Sequence, residues 1–228
     1  MQTRAVARTI RDSLRSSLRR IQLRSALSSL ERVLDRNALP DSQLMKQLVQ
    51  SWGNEAWSAS EPFLNAILQW LPRTQGAIVE CGSGLSTLML GVAASKSARI
   101  VCSLENDPDW EARVRAAIPE RVRPSVRLLS TPIRSYGDFD WYTTEGKAIP
   151  AQIGFVICDG PPGSTRGGRY GLVPVLEKAF APGCIVLLDD TQRDAEREVM
   201  ELWCSKFGAQ IVDRGETYCA LRIGGART

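Results

Sequence analysis

The chain has 228 residues, 29 Lys+Arg against 25 Asp+Glu, six cysteines and no histidine. That length suits one substantial domain with an appendage, and 43% hydrophobic with 24% charged residues excludes wholesale disorder. The missing histidine excludes Ser-His-Asp and Cys-His nucleophile systems, histidine acid–base chemistry and His-ligated zinc.

The net charge of +4 is unevenly placed. Residues 1–40 hold nine arginines against Asp12, Glu31 and Asp35, and the remainder holds 20 basic and 22 acidic side chains. A nearly neutral globular part does not point to a nucleic-acid partner. No apolar run approaches the ~20 residues of a membrane span. Cys81, Cys102, Cys158, Cys184, Cys204 and Cys219 form no CxxC pair and mostly sit in apolar runs, as expected of small core residues in a reducing cytoplasm.

Residues 1–40 read as a basic amphipathic helical segment. Ile10, Leu14, Leu18 and Ile21 repeat at helical spacing, as do Leu23, Leu27, Leu30 and Leu34, with Arg11, Arg15, Arg19 and Arg32 between them. Such a helix docks on its own domain, pairs two copies through residues 1–38, or lies on an anionic membrane surface. Residues 41–75 form a helical brace or lid. Asp41 caps a helix that stops at Gly53, and Ser60-Glu61-Pro62 opens another that runs to Leu71.

From Gly76 the period changes. Apolar strands at 77–81, 99–104, 126–129, 155–158 and 184–188 alternate with helices at 86–95, 108–118, 173–180 and 194–207. Continuous apolar strands alternating with helices imply a parallel sheet covered on both faces. Two more strands, 209–213 and 217–223, are separated only by Arg214-Gly215-Glu216, which forces antiparallel pairing. Residues 76–228 therefore predict an α/β core: a Rossmann-like, doubly wound, seven-stranded sheet, mostly parallel, with an antiparallel hairpin at its end.

The first strand runs into Glu80-Cys81-Gly82-Ser83-Gly84-Leu85-Ser86-Thr87. Glycines there permit a sharp turn and close approach of a ligand, and the following helix offers free N–H groups. Glu105, followed by Asn106, lies 21 residues past Gly84 at the end of the second strand, where a carboxylate can accept both hydroxyls of a ribose. A nicotinamide-dependent oxidoreductase would share both features. Glu80, however, would repel a pyrophosphate while suiting a cationic amino-acid group.

The E-x-G-x-G stretch, the S-L-E-N-D loop and the closing hairpin together resemble the class I S-adenosylmethionine-dependent methyltransferases, over roughly Gly76 to Ile223. The nearest branch is that of small-molecule O-methyltransferases, which act on sugars, natural products or catechols. The resemblance implies S-adenosyl-L-methionine as cofactor, held by Glu80, Gly82, Gly84, Ser86, Thr87, Glu105, Asn106 and Asp159. It also implies a small-molecule or saccharide acceptor and a cytoplasmic enzyme, free or peripheral at a membrane. Catechol-type relatives bind Mg²⁺ through aspartates after the fourth and fifth strands. Asp159, Asp189 and Asp190 match those places and imply Mg²⁺ or Mn²⁺, with Asp159 as the catalytic residue. Where those relatives carry a lysine base, this chain has Pro162. In the other reading of these residues, Asp159 only positions the acceptor and Asp189-Asp190 caps the next helix. Two segments on the working edge are candidate acceptor loops: 136–142 with four aromatics, and 163–170 with Arg166 and Arg169 as partners for an anionic group. The aromatics read equally well as a satellite core.

Overall fold

The computed structural model describes residues 2–54 and 58–224, with side chains from residue 15 onward. The chain divides into two compact units, residues 1–58 and 59–228.

In the first unit, α1 (Gln2–Leu34) packs on α2 (Ser42–Trp52). Leu23, Ala26, Leu27 and Leu30 of α1 are buried, as are Leu44, Met45, Leu48 and Trp52 of α2. The Asp41 carboxylate accepts from Leu44 N at 2.8 Å, and Gly53 ends α2 at a φ of +73°. The other stripe of α1 behaves differently. Leu18 and Ile21 are 59% and 64% exposed, whereas Ile10 and Leu14 lie outside the described side chains.

The second unit starts with α3 (Glu61–Trp70), capped by Ser60 with Pro62 in its first turn. Its sheet takes β1 (Ala77–Cys81), β2 (Val101–Glu105), β3 (Val126–Ser130), β6 (Ile153–Cys158), β7 (Phe180–Leu188), β8 (Gln210–Arg214) and β9 (Cys219–Ile223) in the order β3-β2-β1-β6-β7-β9-β8. Pairs up to β7 are parallel, and β9 runs antiparallel between β7 and β8. The expected seven-stranded sheet and its closing hairpin are both present. The helices between strands are α4 (Leu85–Ser95), α5 (Pro108–Ala117), α6 (Leu172–Leu176) and α7 (Asp194–Phe207).

Apart from Glu80, Ser103 and Glu105, the central strands are apolar on both faces, and they are almost wholly buried, as sheet cores covered by helices must be. Trp203 of α7 is fully buried, and its indole N–H donates to Tyr170 O at 2.9 Å. All six cysteines are free thiols, five of them buried.

Segment 133–142 departs from the loop expected there. It forms a small antiparallel hairpin, β4 (Ile133–Ser135) with β5 (Asp140–Tyr142). Trp141 and Tyr142 are fully buried in the main core, edge to face at 5.1 Å. Burial of two large rings outweighs the poor strand propensity of glycine and aspartate nearby. No helix among the described residues is long and apolar enough to cross a membrane.

Candidate functional site

Register puts the strand ends level. Cys81 of β1 pairs with Leu104 of β2 and with Cys158 of β6, and Cys158 pairs with Leu188 of β7. The residues that follow, Gly82, Glu105, Asp159 and Asp189, therefore emerge along one edge, at the carboxyl ends where open α/β sheets bind ligands.

Gly82 has a φ of +85°, and a Cβ there would stand 3.1 Å from Gly160 N and 3.3 Å from Gly160 Cα. Only glycine satisfies both the left-handed conformation and this close backbone approach. Cys81 O accepts from Asp159 N at 3.1 Å and Gly160 N at 2.7 Å, which locks the turn after β1 to the turn after β6. A Cβ on Gly84 would meet nothing within 4 Å. Its backbone is extended, so open space rather than strain distinguishes that position.

Glu105 is buried and fully engaged with this loop. Its Oε2 accepts from Ser83 N at 3.0 Å and Ser83 Oγ at 2.5 Å, and its Oε1 from Asn106 N at 2.8 Å and Asp107 N at 2.9 Å. Trp110, on α5, donates its indole N–H to Ser83 O at 2.7 Å, with the Arg113 guanidinium 4.7 Å over its ring. The turn after β1 is thus fixed by β2 and α5 together.

Glu80 and Thr87 lie beneath the turn, fully buried. Glu80 Oε2 accepts from Thr87 Oγ and Ser103 Oγ, each at 2.6 Å, while Thr87 Oγ accepts from Gly84 N at 2.9 Å. Glu80 therefore holds the glycine turn from below through a hydroxyl relay. Burial pushes its carboxyl up to about 7, against the hydroxyls of Ser103, Ser86 and Thr87, which favour the ionised form. Its Oε1 is buried without a hydrogen-bond partner. Ser86 is buried at the start of α4.

Asp159, Asp189 and Asp190 each offer an oxygen within 4.8 Å of the others. Asp189 N donates to Cys158 O at 3.1 Å, continuing the sheet pairing past the strand ends. Asp190 adopts a φ of +59°, and α7 starts only at Asp194 after Arg193. The reading of Asp189-Asp190 as a helix cap thus fails: the left-handed turn at Asp190 aims its carboxylate back at the sheet edge instead. Burial drives the carboxyls of Asp159 and Asp189 upward, with Arg169 opposing and the neighbouring aspartates reinforcing the effect.

Arg169 is the residue that sequence reasoning misplaced. Its side chain is 4% exposed and is taken up by ion pairs with Asp159 and Asp190. It donates Nη1–H to Asp189 O at 2.5 Å, and Nη2–H to Asp159 O at 2.8 Å, Asp159 Oδ1 at 3.0 Å and Asp190 Oδ2 at 2.8 Å. Arg193 adds a second contact to Asp190 Oδ2 at 2.9 Å. All-oxygen carboxylates are the right chemistry for a hard cation. Two of the three, however, already share one guanidinium, so the set does not fit a divalent ion while Arg169 stays in place. Four acidic groups converging here (Glu196 Oε1 lies 3.9 Å from Arg169 Nε) were the signal that a buried cation was required.

Arg166 is likewise occupied. It pairs with Asp140 at 2.6 Å and donates to Ser135 Oγ at 2.8 Å, tying the loop after β6 to the β4–β5 hairpin. Tyr136 and Phe139 stack at 5.6 Å, and Phe139 meets Tyr170 edge-on at 5.3 Å. The aromatics of 136–142 are therefore divided: two enter the core, and two lie partly buried against the loop. The Tyr142 hydroxyl is buried without a partner, close against Gly160.

No protein-family model matches the sequence, and no curated protein matches it. Solved structures do match. An O-methyltransferase from Bacillus cereus in complex with S-adenosylhomocysteine is 16% identical, with 86% of this chain and 97% of that chain covered and a TM-score of 0.54. A Staphylococcus aureus protein assigned as a caffeoyl-CoA O-methyltransferase is 12% identical, over 87% and 99% of the two chains, at 0.61. A Podospora anserina methyltransferase bound to S-adenosylhomocysteine is 14% identical, over 87% of each chain, at 0.50. The chain has the fold of the class I S-adenosylmethionine-dependent methyltransferases.

Proposed function

We propose that the protein is an S-adenosylmethionine-dependent methyltransferase acting on an oxygen of a small-molecule or saccharide acceptor. One observation carries this reading: the glycine turn, the Glu105 carboxylate and the Asp159 carboxylate line a single edge of a methyltransferase-type sheet. Neither the antiparallel insertion of β9 nor Glu80 beneath the turn favours a nicotinamide cofactor.

When bound, the cofactor supplies an electrophilic methyl group on a sulfonium centre. Glu105 would accept hydrogen bonds from its ribose in place of the one that Ser83 Oγ donates to it here, and Gly82 and Gly84 would let the cofactor approach the backbone. Asn106 flanks the ribose side. Glu80, Ser86 and Thr87 keep the turn in shape from behind. Asp159, at the end of β6, would orient the acceptor hydroxyl and take its proton, a role that suits a carboxyl raised by burial. No step passes through Mg²⁺ or Mn²⁺. Proximity and alignment at this edge would supply most of the rate.

Residues 1–38 are assigned here to association, with a second copy or an anionic membrane surface of the cytoplasm. Exposed Leu18 and Ile21 beside exposed Arg15, Arg19 and Arg20 support that role.

The test is titration calorimetry with S-adenosylmethionine, S-adenosylhomocysteine and NAD, followed by transfer of labelled methyl to phenolic and saccharide acceptors. Binding of the first two ligands and label on oxygen, lost in Asp159→Asn, is the expected result. Binding of NAD alone would overturn the reading.

A further inference from the structure

The structure assigns Arg169 the place of a divalent cation: its guanidinium is the resident counter-ion of Asp159 and Asp190 and ties in Asp189 through its backbone carbonyl, and the acceptor-side carboxylates of this protein work without a metal. The inference rests on the proposed methyltransferase reading only for what those carboxylates do, and not for how they are held.

The geometry is that of a built site. Gly167 and Gly168 have φ values of +78° and +53°, and this turn brings the following arginine back under the sheet edge. Arg169 is 4% exposed. Its two terminal nitrogens make four hydrogen bonds, spanning the end of β6 at Asp159 and the end of β7 at Asp189 and Asp190. The next residue is anchored as well, because Tyr170 O accepts from the buried Trp203 indole.

A divalent ion drawn to the same three carboxylates would have to share Asp159 and Asp190 with a permanent positive charge a few ångströms away. An arginine cannot relieve that repulsion by losing its proton. The guanidinium also performs the structural part of a metal's task, since it draws like-charged carboxylates together and fixes their orientation. It differs in one respect: it offers no vacant coordination position to an acceptor oxygen. Acceptor activation therefore falls to Asp159 itself, and Arg169 is a positioning residue.

The experiment is Mn²⁺ titration of the full-length protein, followed by electron paramagnetic resonance. Wild type is expected to leave the free-ion signal undiminished up to millimolar Mn²⁺. Arg169→Gln, which keeps the side chain polar but uncharged, is expected to gain a saturable site that disappears again when Asp189→Asn is added. Arg169→Lys retains the charge and is expected to gain none. Saturable Mn²⁺ binding by wild type that is lost in Asp189→Asn would overturn the inference, and this arm needs no Arg169 variant to fold. A folded Arg169→Gln that gains no site would overturn it too. Calorimetry with S-adenosylhomocysteine on the same samples separates this outcome from failure of the methyltransferase reading, because donor binding at Glu105 does not depend on the Mn²⁺ result.

Discussion

Replacing Glu80 by glutamine should remove most of one pH dependence of stability. Glu80 is fully buried, with two hydroxyl donors on one oxygen and none on the other. Burial raises its carboxyl from 4.5 to about 7 in the folded chain. Below the ordinary carboxylate range both states carry the proton. As the pH climbs from there to about 7, the unfolded chain gives its proton up and the folded chain keeps it, so unfolding becomes progressively easier. At about 1.4 kcal/mol per tenfold, this is a loss of about 3 kcal/mol, present in full below the unfolded value and gone above the folded one. Urea unfolding of the cofactor-free protein at a series of pH values, followed through tryptophan fluorescence, measures it. The difference in unfolding free energy between Glu80→Gln and wild type should shift by about 3 kcal/mol in favour of the variant between acid and mildly alkaline pH. Parallel curves would refute the reasoning and would mean that the folded protein solvates Glu80 as well as water does.

Three further outcomes are expected. Glu105→Gln should weaken S-adenosylmethionine binding by about 1.5–3 kcal/mol in calorimetry, because any amide orientation sets an NH₂ against the N–H of Ser83 or those of Asn106 and Asp107. Gly82→Ala should lower the unfolding free energy by about 1–3 kcal/mol through its left-handed backbone, and it should abolish cofactor binding in the folded fraction; unchanged values in both measurements would remove Gly82 from the site. Trp203→Ala should cost about 3–5 kcal/mol in urea unfolding, from the cavity and from the orphaned Tyr170 carbonyl beneath it.

The elements legible in the sequence were those whose signal is local. The stretches 155–158 and 184–188 are apolar without interruption, 77–81 is broken only by Glu80, and so short a link after β8 allows only a hairpin. Gly82 and Glu105 could be placed because a turn and a strand end follow directly from such runs. What was not legible depends on contacts distant in sequence. Arg169 looks like a surface arginine in a glycine-rich loop until the ends of β6 and β7 and the first turn of α7 bring four acids around it. Asp189-Asp190 reads as a cap of the next helix, but the ion pairs of the Asp190 carboxylate with Arg169 and Arg193 go with a left-handed turn at Asp190, and α7 starts only at Asp194. The β4–β5 hairpin has three-residue strands, too short for periodicity to register, and is held by its buried rings. The place of Glu80 in the motif marks it as a functional residue. Its lack of access to solvent, and hence its role as a support rather than an exposed partner, depends on Ser103 of the neighbouring strand.

The position of β9 has a bearing on how this protein is made. Chain order puts β8 before β9, yet β8 bonds only to β9, and β9 lies against β7. During synthesis the growing sheet must therefore wait at β7 with its backbone edge open, and β8 emerges with nothing to join. Both gaps close in one event when residues 219–223 slot between them. Until then the nascent chain carries an unpaired edge of wholly apolar sequence, the kind of surface that recruits a foreign strand. A chain truncated just short of Cys219 would keep the glycine turn after β1 but leave the edge of β7 uncovered.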